Sequence, residues 1–185
     1  MVHNMFVDFI KLSAKLRSDY PDSLGSSFSG WENVVKTLTP SIPIIYKAIY
    51  SKVSGTMRNI ENQTLMDFIP GYRLIHIQDL EKENTNLKAV LQYYEGFEKI
   101  TLLPILANYS SDFICFGRDE RGMEKIYSVH HDDEPYMLYE SPENFLKTIC
   151  EFYRQNVYFL DQDGYLDCDF DKLQIVSTKI NLDIT

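Results

Sequence analysis

Three β-like runs follow one another in the middle of this chain, joined by connections too short to hold a crossover. Leu102–Ala107, Asp112–Gly117 and Lys125–His130 are rich in Leu, Ile, Phe, Val and Tyr, with connections that contain NYSS and RDERGM. Parallel neighbours need a connection of about a dozen residues or more, whereas about four to six residues suit a hairpin. The runs are therefore predicted to be consecutive antiparallel strands.

The flanks have a different period. Phe6, Phe9, Ile10, Leu16 and Tyr20 recur at helical spacing and predict an amphipathic helix over residues 3–18. YPDSLGSSFSG, from Tyr20 to Gly30, breaks the pattern and reads as a loop. A short helix is expected over Trp31–Leu38 and another over Pro43–Ser54, with Ile45, Ile49 and Val53 as its stripe and Gly55 as its left-handed stop. After the Pro70-Gly71 turn, Tyr72 and Leu74 begin a strand extending towards Ile77. Gln78–Tyr94 reads as a solvated helix or excursion closed by Gly96. Ser141-Pro142-Glu143 offers a cap, a first-turn proline and an acid at the positive end of the dipole. That helix should run to about Gln155 with Phe145, Ile149 and Phe152 inward. Val157–Leu160 reads as a short strand and Leu173–Ile180 as a last short helix or strand. No repeat or linker divides the 185 residues, a length usual for one domain. The expected fold is α+β: a single domain with a central, mostly antiparallel sheet and helices packed at one face and both ends.

The chain carries 18 basic against 27 acidic residues, a net charge of −9. Phosphate backbones and anionic lipid surfaces repel such a surface, so neither nucleic acid nor membrane is the expected partner; a basic protein is. Its 3 cysteines form no C-x-x-C pair and argue against both a disulfide framework and a zinc knot. The N-terminal apolar run is interrupted by charged and polar residues, so no signal peptide is expected, and the reading is cytoplasmic.

Two stretches invite a chemical reading. In YSVHHDDEPYMLY, Tyr127–Tyr139, His130 and His131 run into Asp132, Asp133 and Glu134. Neighbouring side chains on a strand point to opposite faces, so both imidazoles reach one ion only if the chain bends. His3 and His76 have no spacing that ties them in as further zinc ligands. A wet turn is the expected reading, with a metal site or enzyme using His130 and His131 as the alternative. In DQDGYLDCDFD, Asp161–Asp171, five aspartates invite calcium. Counted from Asp161, an EF-hand loop would want Asp or Asn, Gly and Glu where the chain has Tyr165, Leu166 and Lys172. A tight Asp163-Gly164 turn between two strands accounts for the same letters. With no nucleophile elbow, phosphate loop or dinucleotide fingerprint, no enzyme and no cofactor are expected.

In order along the chain, IPIIYKAIYSKVSGT, YRLIHIQDLE, LLPILANYSSDFICFG and KIYSVHHDDEPYMLYESPENFLKTICEFY resemble the successive motifs of SUKH-superfamily (Smi/Knr-like) domains, known also from fungal cell-wall-synthesis regulators. The resemblance covers roughly Ile42 to Tyr153. It leaves residues 1–40 as an N-terminal helical extension and 156–185 as a C-terminal one. The chain departs from the family in having Asn108–Ser111 where a glycine pair is usual.

What the resemblance implies is a non-enzymatic immunity protein that binds and occludes a cognate bacterial toxin domain, in many members a nuclease; a regulatory scaffold in cell-wall or signalling pathways is the alternative. A nuclease site is basic because it must attract phosphate, so an acidic inhibitor fits on independent grounds. The expected contact residues are Asp132, Asp133, Glu134 and Tyr136, followed by Asp161, Asp163 and Asp167, with acids guiding association and tyrosine anchoring it.

Overall fold

The computed structural model describes residues 1–97 and 99–181. Six strands form one sheet in the order of the sequence: β1 (Asp67–Ile69), β2 (Tyr72–Leu74), β3 (Thr101–Ala107), β4 (Phe113–Arg118), β5 (Glu124–Val129) and β6 (Tyr136–Tyr139). Every neighbouring pair is antiparallel, as the short connections require. A second, two-stranded sheet pairs β7 (Tyr158–Leu160) with β8 (Leu166–Cys168). Pro104 lies in an interior strand, where a missing N–H is normally not tolerated. Here the register slips between Pro104 and Leu106, and the proline carbonyl accepts the Tyr46 hydroxyl at 2.7 Å.

The helices are α1 (Val2–Leu16), α2 (Tyr20–Ser23), α3 (Trp31–Leu38), α4 (Ile44–Tyr50), α5 (Leu80–Leu91), α6 (Pro142–Arg154) and α7 (Phe170–Asn181). The α+β layout is thus observed. Helix α6 starts where its local signals place it: Ser141 Oγ accepts from Asn144 N at 3.1 Å and Pro142 opens the first turn. Helix α1 packs against α4 and α6, and Phe6, Phe9, Tyr20, Phe68 and Tyr153 form one aromatic cluster at that junction. Most of these rings are fully buried; Tyr50, buried elsewhere in the core, resolves its hydroxyl on the Ile75 carbonyl at 2.7 Å. Tyr46 and Tyr50 thus serve as core with a satisfied polar tip, whereas the buried Tyr20 hydroxyl has no hydrogen-bond partner among the described residues.

Four elements differ from the sequence expectation. Tyr20–Ser23 is a one-turn helix inside the predicted loop, and Asp67–Ile69 is a strand that its three residues did not announce. The strand begun at Tyr72 stops at Leu74, and Ile77–Asp79 forms a 3-10 turn into α5. Helix α4 ends at Tyr50, so Gly55 does not cap it. Gly55 does have a positive φ, +101°, and a Cβ there would in addition lie 2.4 Å from the Ile75 carbonyl oxygen. The segment around it runs beside the exit of β2, with Thr56 N donating to Leu74 O at 3.0 Å and Ile77 N to Ser54 O at 2.8 Å.

Arg17 is a further departure, because nothing local marks it as a core residue. It is 4% exposed, stacks over the Tyr20 ring at 3.9 Å, and donates to the Tyr153 hydroxyl at 3.0 Å and the Asp67 carbonyl at 2.9 Å. One guanidinium thereby joins the α1–α2 corner, β1 and α6.

Candidate functional site

Antiparallel meandering sends alternate turns to the same end of the sheet. The start of β2 pairs with the end of β3 (Arg73 with Ala107), and the start of β4 with the end of β5 (Phe113 with Val129). The β1–β2 turn at Pro70-Gly71, the β3–β4 turn at Asn108–Asp112 and the β5–β6 loop at His130–Pro135 therefore share one end. The β7–β8 turn reaches it too, since Tyr165 lines a cleft with Gly71 and Tyr109. Both acidic stretches singled out in the sequence thus flank one surface, which no spacing in the sequence disclosed. Three tyrosines are exposed at this end, Tyr109 at 71%, Tyr136 at 50% and Tyr165 at 43%.

Asp112 organises the β5–β6 loop. Its Oδ1 accepts from the His131 backbone N at 3.0 Å and pairs with His131 Nδ1 at 2.8 Å. Its Oδ2 accepts from Asn108 Nδ2 at 2.7 Å and lies 3.7 Å from His130 Nδ1. Both imidazoles reach one carboxylate because β5 ends at Val129, so strand alternation no longer separates them. Burial pushes the Asp112 carboxyl upward, but the hydrogen bonds from His131 and Asn108 together hold it below the ordinary aspartate value. The same bond raises His131 above 6.5. His130 lies parallel to the Tyr136 ring at 6.2 Å and pairs through Nε2 with Ser128 Oγ at 2.9 Å.

With the loop pinned at its base, Asp132, Asp133 and Glu134 are exposed at its tip and, among the described residues, bond to nothing. Tyr94, whose hydroxyl donates to the His130 carbonyl at 3.5 Å, stands close by. Its own ionisation is pushed up by desolvation and then by the charges of Asp132 and Asp133.

The second acidic group is arranged differently. Asp161 Oδ1 accepts from Asp163 N at 2.9 Å and Tyr165 N at 2.8 Å, closing the turn with Gly164 at φ +86°. Asp167 accepts from Cys168 N at 2.7 Å. Asp161 and Asp167 are thus committed to their own backbone, and Asp163 is the exposed carboxylate of the three. Among the described residues no three His, Cys, Asp or Glu side chains converge as a metal ligand set, and no helix is long and apolar enough to cross a membrane.

No protein-family model matches the chain, and no curated protein matches it in sequence.

Proposed function

We propose that this chain is a non-enzymatic binding protein that docks the turn end of its sheet onto a basic protein partner, and that it acts as a SUKH-type immunity protein occluding a toxin domain in the cytoplasm. One observation carries the reading: Asp132, Asp133 and Glu134 are exposed and uncommitted on a loop that Asp112 holds in place, next to the half-exposed Tyr136. Pre-positioned charge of this kind accelerates association, while an aromatic ring beside it can anchor the bound state.

The test is binding kinetics against the toxin domain encoded beside this gene, with melting curves as control. Replacing Asp132, Asp133 and Glu134 together by Ser should slow association and flatten its salt dependence, because screening lengths fall from about 30 Å at 0.01 M salt to about 8 Å at 0.15 M. Tyr136→Ala should instead speed dissociation, by about 2 kcal/mol or more for a buried anchor. A triple variant that binds and protects like the parent protein would place the interface elsewhere. Failure of any neighbouring toxin to bind would favour the regulatory scaffold.

A further inference from the structure

A cleft of about 310 Å³ opens at the same end of the sheet, lined by Gln63, Met66, Asp67, Gly71, Tyr109 and Tyr165. Four separate parts of the chain build it: the 3-10 turn before β1, the β1–β2 turn, the β3–β4 turn and the β7–β8 turn. Its volume lies at the low end for ligand pockets, about 300–1,000 Å³, and is large enough for a side-chain head group. The charged residue of its lining is Asp67. Oδ2 accepts from Gly71 N at 3.0 Å, and among the described residues no cationic side chain is bonded to either oxygen. Arg17 is near but directs its hydrogen bonds to the Asp67 main-chain carbonyl and the Tyr153 hydroxyl. Arg73 is held by Glu83 at 2.6 Å.

From this arrangement we infer that the cleft receives an arginine side chain of the protein partner, its guanidinium forming a charge-assisted hydrogen bond to Asp67 and lying against Tyr109 and Tyr165. The inference deepens the proposed function and rests on the partner being basic. Three features select this ligand. A half-buried carboxylate with one backbone donor retains acceptor capacity that a fork of N–H groups can fill. A planar, weakly hydrated guanidinium stacks on tyrosine faces better than an ammonium does. The Tyr109 hydroxyl is tied to Met66 Sδ at 3.1 Å, which orients the ring, and the exposed Asp163 lies two residues from Tyr165 in the same turn. Burial holds the Asp67 carboxyl above its ordinary value, opposed by the Gly71 hydrogen bond and the charge of Arg17; an incoming cation would reverse that penalty.

The experiment titrates the intact protein with N-acetyl-arginine amide, its neutral isostere N-acetyl-citrulline amide, and N-acetyl-lysine amide, following the Gly71, Tyr109 and Tyr165 resonances by NMR. Arginine should shift these signals. Citrulline should bind at least about tenfold more weakly, as loss of a charged hydrogen bond implies. Asp67→Asn keeps an acceptor for Gly71 N–H, so its melting curve should match the parent protein while arginine affinity falls by a similar factor. Tyr165→Ala should weaken arginine more than lysine. Equal binding of citrulline, an unaffected Asp67→Asn variant, or lysine binding as well as arginine would each overturn the proposal. Shifts confined to Asp132–Glu134 would overturn it too, while leaving the loop-based reading of the function standing; loop variants that bind the partner like the parent protein would sink that reading and spare the cleft.

Discussion

Replacing Gly55 by alanine tests whether backbone crowding, and not only left-handed φ, makes that position glycine. The φ of +101° alone costs an L-residue about 1–2 kcal/mol. The new Cβ would also stand 2.4 Å from Ile75 O and 2.7 Å from His76 Cα, and backbone atoms cannot swing aside as a side-chain tip can. The Ser54–Thr56 segment must then retreat, giving up the Thr56 N–Leu74 O and Ile77 N–Ser54 O hydrogen bonds. At about 1 kcal/mol each, their loss brings the total to about 3–4 kcal/mol. Gly122 supplies the control, since its φ is +79° and nothing lies within 4 Å of its would-be Cβ. Gly122→Ala should cost only the backbone share, about 1–2 kcal/mol. Urea unfolding of both variants measures the difference, expected at about 2 kcal/mol with unchanged slope. Equal losses at the two sites would refute the crowding argument.

Two further outcomes concern buried and titrating groups. Tyr153→Phe removes the acceptor for Arg17 Nη2 while Arg17 Nε already lacks a partner, so a loss of about 1–3 kcal/mol is expected in the same assay. His131 should titrate above 6.5, and Asp112→Asn should bring its midpoint down again, as followed by NMR of the imidazole. The signs are opposite for the two partners: the His131 contribution is complete below pH 6.5 and is lost as pH rises through its raised folded value. The Asp112 contribution is complete above its ordinary value of 3.8 and is lost as pH falls through its lowered one. The loop is therefore held best between those limits.

Features written in neighbouring residues could be read from the sequence alone. Ser141-Pro142 starts α6, Asp163-Gly164 turns the second hairpin, and NYSS and RDERGM force antiparallel pairing. Features that depend on a distant segment could not. Gly55 was legible as a positive-φ glycine, but the crowding that excludes a Cβ there comes from the Ile75 carbonyl twenty residues on. Arg17 looks like an ordinary charged residue after an amphipathic helix, and only the docking of β1 and α6 makes it interior. Three-residue strands such as Asp67–Ile69 are too short for a period to show. At the candidate site the acids of the β5–β6 loop and their wet-turn character were visible. The Asp112 clasp was not, because it crosses nineteen residues, and neither was the cleft, whose walls come from four parts of the chain.

The junction of α1 with α6 also imposes an order on synthesis. Strands β3 to β6 each pair with the segment made just before or after them, so the sheet can zip up as it emerges. Helix α1 cannot: Phe9 packs edge-on to Tyr153, and the Met5 carbonyl accepts from Cys150 Sγ at 3.5 Å. At about 5–20 residues per second, the ribosome delivers Tyr153 roughly 7–30 seconds after Phe9. Throughout that interval the apolar stripe of the first helix has no α6 to cover it, although its aromatic partners Tyr20 and Phe68 are made well before Tyr153.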